Sequence, residues 1–307
     1  MRQTVPMRVR ALSKHLARFP GVVGVFWGHR KRVGAWTNEH CICVHVREKR
    51  SMRRLPSSER LPRKIENYHV DVLEVGAPRA HALDQNGMLD CPGAVRRTSS
   101  PTALANDGAD AYALVSGHGV LPFVGGRILS SYRADGPGAR ISLGGVEGEV
   151  QTGKFGGSVD WALVRFDGRG GQANNYSWTA DNSAPLRLRR TPLSAGEPVA
   201  LRSVAHPSPS RAQNLGKFRQ VSSAPVTMLL SDGESQSYDD VLLVDGDDPG
   251  EPFSQGGDSG ALVVDQSGAR LVVGMLLGGV ESGSVSYVLD LSHLANHPGA
   301  RFDLFFR

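Results

Sequence analysis

Cysteine is scarce in this 307-residue chain, which has three, an odd number. Such a count cannot supply the several bridges that staple small secreted domains. Cys41 and Cys43 alternate along one apolar run, where they read as small core residues; His40 and His45 lie nearby, but a metal site would need further ligands at suitable spacing. Long apolar runs are missing as well. The first 18 residues carry positive charge, but no signal-peptide core follows, and Val22 to Trp27 is far too short to span a bilayer. Together these absences predict a cytoplasmic chain with no structural metal and no membrane span. Aromatic residues are few at 7%, whereas 37 glycines and 18 prolines cut the sequence into many short apolar runs. That texture favours β-barrels or sandwiches over helices.

Charge is present in both signs but unevenly placed. Residues 1–70 hold 16 Lys and Arg against 4 Asp and Glu, and the remainder holds 19 against 26. A basic segment of this kind can meet an acidic protein partner, nucleic acid or the acidic part of its own chain, or it can simply be solvated. Nucleic acid is disfavoured, because only Trp27 and Trp36 are interleaved with the charges and no recognition motif is present.

The chain is organised around Gln255-Gly256-Gly257-Asp258-Ser259-Gly260, which runs into the apolar stretch Ala261-Leu262-Val263-Val264. A serine between glycines suits a nucleophile, because a reacting carbonyl can approach the backbone and the N–H groups of Gly257 and Ser259 can converge on an oxyanion. The valine-rich run predicts a buried strand that holds the turn. This stretch resembles the nucleophile signature of the chymotrypsin-like (trypsin-like) serine proteases. Upstream, Ala113 to Val120 puts His118 after an apolar strand, and Ser158 to Phe166 puts Asp160 at the head of a hydrophobic one. A carboxylate desolvated beside Trp161 is tolerable only with a partner. The order His, Asp, Ser is the one that family uses, and hydrolases of other folds order the triad differently. The resemblance therefore implies Ser259 as nucleophile, His118 as general base and then acid, and Asp160 as the group that orients the imidazole.

Residues 1–76 are expected to form a small basic α+β module, with a helix over Met7 to Phe19 and a short antiparallel sheet from Val22 to Trp27, Cys41 to Val46 and His69 to Val75. His29 to Gly34 reads as a basic turn. The module resembles the segment that precedes the protease domain in some bacterial intracellular trypsin-like proteins. Residues 77–100 read as a linker, and residues 293–307 as a tail packed through Leu304-Phe305-Phe306. Between them, residues 101–185 and 186–292 supply two sets of short strands, for which the resemblance implies an all-β fold of two antiparallel Greek-key barrels with the cleft between them.

Within the resemblance, the substrate pocket would be lined by Phe253 and Ser254 before the nucleophile and by Leu277, Gly278 and Gly279 after it. Members that prefer basic residues carry an aspartate where this chain has Phe253, so an apolar or small substrate side chain is expected. A competing feature is the acidic run Asp245, Asp247, Asp248 and Glu251. Asp258 corresponds to a carboxylate that secreted members pair with a newly released amino terminus; cleavage after Arg97 would provide one, and a basic side chain or backbone N–H groups would serve instead. The expected activity is that of a serine endopeptidase acting on protein substrates without cofactor, with the basic module docking a regulatory partner. The alternative is a catalytically silent protease-fold scaffold that docks an acidic partner through that module.

Overall fold

The computed structural model describes residues 5–80, 89–90, 99–136, 138–143, 146–166, 186–202, 214–247, 252–267, 270–281, 283, 285–296 and 302–305. The cleavage candidate at Arg97, the connection over Asn174 to Pro185, and Asp248 and Glu251 lie outside the described residues.

Helix α1 (Met7–Leu16) forms because Val9 and Leu16 recur on one face, which also buries Ser13. Strands β1 (Val22–Arg32) and β2 (Ala35–Val46) follow as an antiparallel hairpin. Its two turn residues, Val33 and Gly34, take φ of 47° and 81°, the positive pair that a two-residue hairpin turn requires. The ribbon therefore runs on to Arg32, and the basic turn expected from His29 is strand: His29 faces His40, Lys31 faces Trp36, and Arg30 and Arg32 both reach Glu39. Strands β3 (Lys64–Ile65) and β4 (Tyr68–Glu74) are antiparallel to each other, but β4 lies parallel to β2. The expectation of a purely antiparallel sheet is thus corrected. The connection between β2 and β4 is long enough to bring the chain back to the end from which β2 started.

Strand β5 (Arg79–Ala80) precedes a seven-stranded antiparallel sheet. That sheet contains β6 (Leu89–Asp90), β7 (Pro101–Asn106), β8 (Ala111–Val115), β11 (Ser131–Arg133), β12 (Ala139–Leu143), β13 (Val146–Gly156) and β14 (Val159–Phe166), in the order β6-β12-β13-β14-β8-β7 with β11 added beside β13. A four-residue helix, α2 (Gly117–Val120), leaves the end of β8, and a small hairpin of β9 (Phe123–Val124) and β10 (Arg127–Ile128) follows it. The turn between β7 and β8 is built by Asp107, whose Oδ1 accepts from the N–H groups of Ala109 and Asp110.

The second half closes on itself. Strands β15 (Pro198–Arg202), β16 (Asn214–Ser222), β19 (Val241–Gly246), β22 (Ser286–Asp290), β21 (Val272–Gly279) and β20 (Leu262–Asp265) pair in that cyclic order, all antiparallel, and β20 returns to β15. Closure removes the open edges such short strands would otherwise expose. The hairpin β17 (Val226–Leu229) and β18 (Ser235–Tyr238) lies outside the ring. The architecture is the all-β double-barrel plan expected from the sequence, and no helix among the described residues is long and apolar enough to cross a membrane.

The amino-terminal sheet is joined to this barrel. The far end of β16 pairs with β1, Phe26 opposite Ser222 and Gly28 opposite Gln220. Val25, Ile42 and Val44 share one core with the barrel residues Val221, Leu242 and Val244, and a second core holds the first sheet together with the barrel interior. Polar contacts accompany the apolar ones: the Trp36 indole donates to Asp245 at 2.7 Å, and the Ser13 hydroxyl lies 2.7 Å from that of Ser223. The carboxyl-terminal Phe302 packs edge-on against Trp161 at 5.0 Å, and Phe305 is fully buried.

Candidate active site

Three segments far apart in sequence bring His118, Asp160 and Ser259 into one line. Helix α2 turns His118 back over β14. Gly117 permits this, because a side chain there would meet the Trp161 carbonyl at 2.9 Å and the Asp160 carboxylate at 3.1 Å. Asp160 Oδ1 accepts from the His118 backbone N–H at 3.0 Å, and its Oδ2 lies 2.5 Å from His118 Nδ1. The other ring nitrogen, Nε2, lies 2.7 Å from Ser259 Oγ. The buried carboxylate thus has the partner its burial demands, and with Nδ1 carrying the proton toward Asp160, Nε2 is left as an acceptor facing the serine. All three residues are 1% exposed or less.

Asp160 is steadied from the second half of the molecule. The turn between β13 and β14 docks on β18: the Gly157 N–H donates to the Ser237 carbonyl at 3.0 Å, and the Asp239 N–H donates to the Gly157 carbonyl at 2.8 Å. Tyr238 sits fully buried in this contact, and its hydroxyl has no hydrogen-bond partner among the described residues. Burial pushes the Tyr238 hydroxyl well above the ordinary tyrosine range, and the charge of Asp160 raises it further. Trp161, next to Asp160, is buried under Phe302.

The turn that carries Ser259 is held by a row of small polar residues. The Ser99 hydroxyl donates to the Ser259 carbonyl at 2.8 Å, and the Ser100 N–H donates to the same carbonyl at 2.7 Å. Ser100 Oγ donates to the Gly257 carbonyl, and Thr102 Oγ1 to the Gly260 carbonyl. Gly257 and Gly260 both have φ near +90°, and a side chain on Gly260 would lie 2.2 Å from the Ser100 carbonyl oxygen. Only glycine takes that backbone without strain while leaving the latch intact. Asp258, fully buried behind the turn, accepts from the Gln255 N–H at 2.9 Å, so a backbone donor is among its partners. Ser99, Ser100, Thr102 and Tyr238 escaped the sequence reading, since isolated small polar residues and a lone tyrosine carry no period or motif.

A cavity of about 460 Å³ opens beside the turn. Ser254, Gln255 and Gly256 line it from before Ser259, and Gly279, Val280 and Glu281 from after, with Arg79 also at its wall. Phe253 lies elsewhere: it is fully buried in the barrel core, where its ring would meet a side chain on Gly216 at 2.6 Å. Leu277 also packs into a core, and its carbonyl lies 2.7 Å from Ser259 Oγ. Gly278 is opposite Ala80 of β5. At the cavity the Ser254 hydroxyl is 2.7 Å from that of Ser286. Asp245 and Asp247 are committed to the barrel wall instead, Asp245 to Arg219 and Trp36 and Asp247 to Lys217. No group of His, Cys, Asp and Glu able to hold a metal occurs among the described residues.

No protein-family model matches the chain, and no curated protein matches it. Among solved structures it is similar to a Nocardiopsis protease, at 15% identity over 69% of this chain and 94% of that one, with a TM-score of 0.40. It is also similar to the active form of the Rv3671c protease from M. tuberculosis, at 16% identity over 62% of this chain and 70% of that one, with a TM-score of 0.38. A third is a glutamic acid specific serine protease, at 16% identity over 68% of this chain and 94% of that one, with a TM-score of 0.37. Likeness at this level leaves any functional case to the residues themselves.

Proposed function

We propose that the chain is a serine endopeptidase that cleaves protein substrates through an acyl-enzyme on Ser259. The observation that carries this reading is the continuous line from Asp160 through His118 to Ser259, with contacts of 2.5 and 2.7 Å between side chains from three separate segments. In the first step Ser259 Oγ attacks the scissile carbonyl while its proton passes to His118 Nε2. Asp160, bonded to Nδ1, holds the ring in the tautomer that leaves Nε2 basic and stabilises the imidazolium that forms. The N–H groups of Gly257 and Ser259 are assigned to the developing oxyanion, a role worth about 10²–10³-fold per donor in acyl-transfer enzymes. Collapse of the tetrahedral species returns the proton from Nε2 to the leaving amine. Water, deprotonated by the same nitrogen, then releases the acyl group.

The cavity lining mixes small residues such as Ser254, Gly256 and Gly279 with the charged Arg79 and Glu281, so the small or apolar preference expected from Phe253 stays a proposal. The test is incubation of the full chain with a small fluorophosphonate, followed by mass spectrometry of the adduct. Labelling should fall on Ser259 and vanish in Ser259→Ala, and His118→Ala should lower the labelling rate by about 10⁴-fold or more, because these groups act as a unit. Labelling elsewhere, or undiminished labelling in Ser259→Ala, would end this reading.

A further inference from the structure

The edge of β21 beside the nucleophile is already filled, and it is filled by the chain itself. Beyond Leu277, whose carbonyl meets Ser259 Oγ, the next two residues pair antiparallel with β5: Gly278 opposite Ala80, and Gly279 opposite Arg79. On its other side β5 runs parallel to β17, with Arg79 opposite Leu229 and the Leu229 N–H donating to the Pro78 carbonyl at 2.9 Å. The fit is close, since a side chain on Gly278 would lie 2.0 Å from the Arg79 carbonyl oxygen. Arg79 and Ala80 also close one side of the cavity that Ser254 and Gly279 line.

We infer that Pro78 to Ala80 is an autoinhibitory strand, lying on the edge where an extended peptide must pair to reach Ser259; this rests on reading Ser259 as a peptidase nucleophile. Direction supports it. As β5 runs from Arg79 to Ala80 its partners run from Gly279 to Gly278, toward Leu277 and the serine. A segment whose carboxyl end points at the nucleophile occupies the ground of the residues that precede a scissile carbonyl. A peptide adding to a sheet edge draws its affinity from main-chain hydrogen bonds, and here those are taken by β5. The occupant is tethered in the same chain, so it competes at a high effective concentration, and its hold on β17 gives it a second set of bonds that a free peptide would lack.

An occupant of this kind lowers the fraction of competent enzyme and raises the apparent KM by the same factor, leaving kcat alone. Arg79 lies in a strand flanked on both sides, a place that does not accept proline. In the full chain, Arg79→Pro should therefore lower KM for an N-acylated tetrapeptide anilide by about ten-fold or more, with kcat within about two-fold. The rate at which a small fluorophosphonate labels Ser259 should stay within about three-fold, because that probe needs no strand edge. The free pentapeptide Gly-Ala-Pro-Arg-Ala, residues 76–80, should inhibit the variant competitively. Should the proline variant fail to fold, Arg79→Gly, which keeps every backbone group and weakens the strand, should shift KM in the same direction. An unchanged KM in a folded variant overturns the inference while Ser259 labelling stands. So does loss of the fold in both variants, which would make β5 a structural strand alone. Absence of Ser259 labelling in every form overturns the peptidase reading, and this inference with it.

Discussion

Ser259 has one hydroxyl proton and two acceptors, His118 Nε2 and the Leu277 carbonyl, each at 2.7 Å. A hydroxyl donates to one at a time, so in this conformation the proton is not committed to the base. A second residue with an unusual proton balance is His45, which lies far from the chemistry. Its ring packs on Phe26 at 4.4 Å and is fully buried. Burial holds it neutral down to about 3, a drop that the Gln220 side chain opposes. The folded value lies below the unfolded one, so its contribution is whole above about pH 6.5 and is lost as the pH falls, because the unfolded chain takes up the proton first. At pH 5 the loss should be about 2 kcal/mol. Urea unfolding at pH 7 and pH 5 should show that loss in the native chain and much less of it in His45→Leu; equal losses in both would place the acid sensitivity elsewhere. His118, Asp160 and Ser259, the three residues proposed as a triad, could be picked out of the sequence because each sits in a local pattern of small and apolar residues. His45 could not, because its meaning comes from Phe26 on the neighbouring strand.

At the scale of elements, the turn that carries Ser259 depends on a latch from the segment leading into β7, and Gly260 lies against that latch. In Gly260→Ala the new side chain meets the Ser100 carbonyl at 2.2 Å in a backbone with φ of +88°. The expected cost is about 2 kcal/mol or more, with a fall in Ser259 labelling as the Ser99 and Ser100 bonds give way. Gly108→Ala, at φ +96° with open space around it, is the control: about 1 kcal/mol of strain and no change in labelling. Urea midpoints and labelling rates for the two variants check the contrast, and similar labelling in both would dissociate the latch from the site. Most barrel strands were legible, since apolar runs such as Leu262 to Asp265 and Val272 to Gly279 are set off by glycine-containing breaks. Two features were not. The parallel course of β4 beside β2 could not be read, because a period of two says nothing about direction. Strand β5, two residues long, has no period at all.

Across the whole molecule, β16 is a shared wall. Its first residues close the barrel against β15, its last residues carry the amino-terminal sheet through β1, and β19 lines its other side. A chain beginning at Ala77 would leave Gln220 to Ser222 without that pairing and would uncover Val221, Leu242 and Val244. Exposed apolar surface beside an open strand edge invites self-association, so that chain should sediment as oligomers, whereas the full chain should not. A monomeric, folded product would show that the barrel does not need this cover. The charge asymmetry between the two parts was plain in the sequence; the pairing of β1 with β16 was not, because contacts between strands so distant in the chain leave no local trace. One further consequence lies in Cys41 and Cys43, whose sulfur atoms are 3.3 Å apart at zero exposure in the sheet that β1 and β2 form. A thiol reagent reaches them only when that sheet parts, so their alkylation rate in native buffer is a clock for its opening. If the clock runs at the rate of global unfolding, the sheet and the barrel are one cooperative body. If it runs faster, the sheet lifts away first and the barrel wall beneath it is periodically laid bare to other proteins.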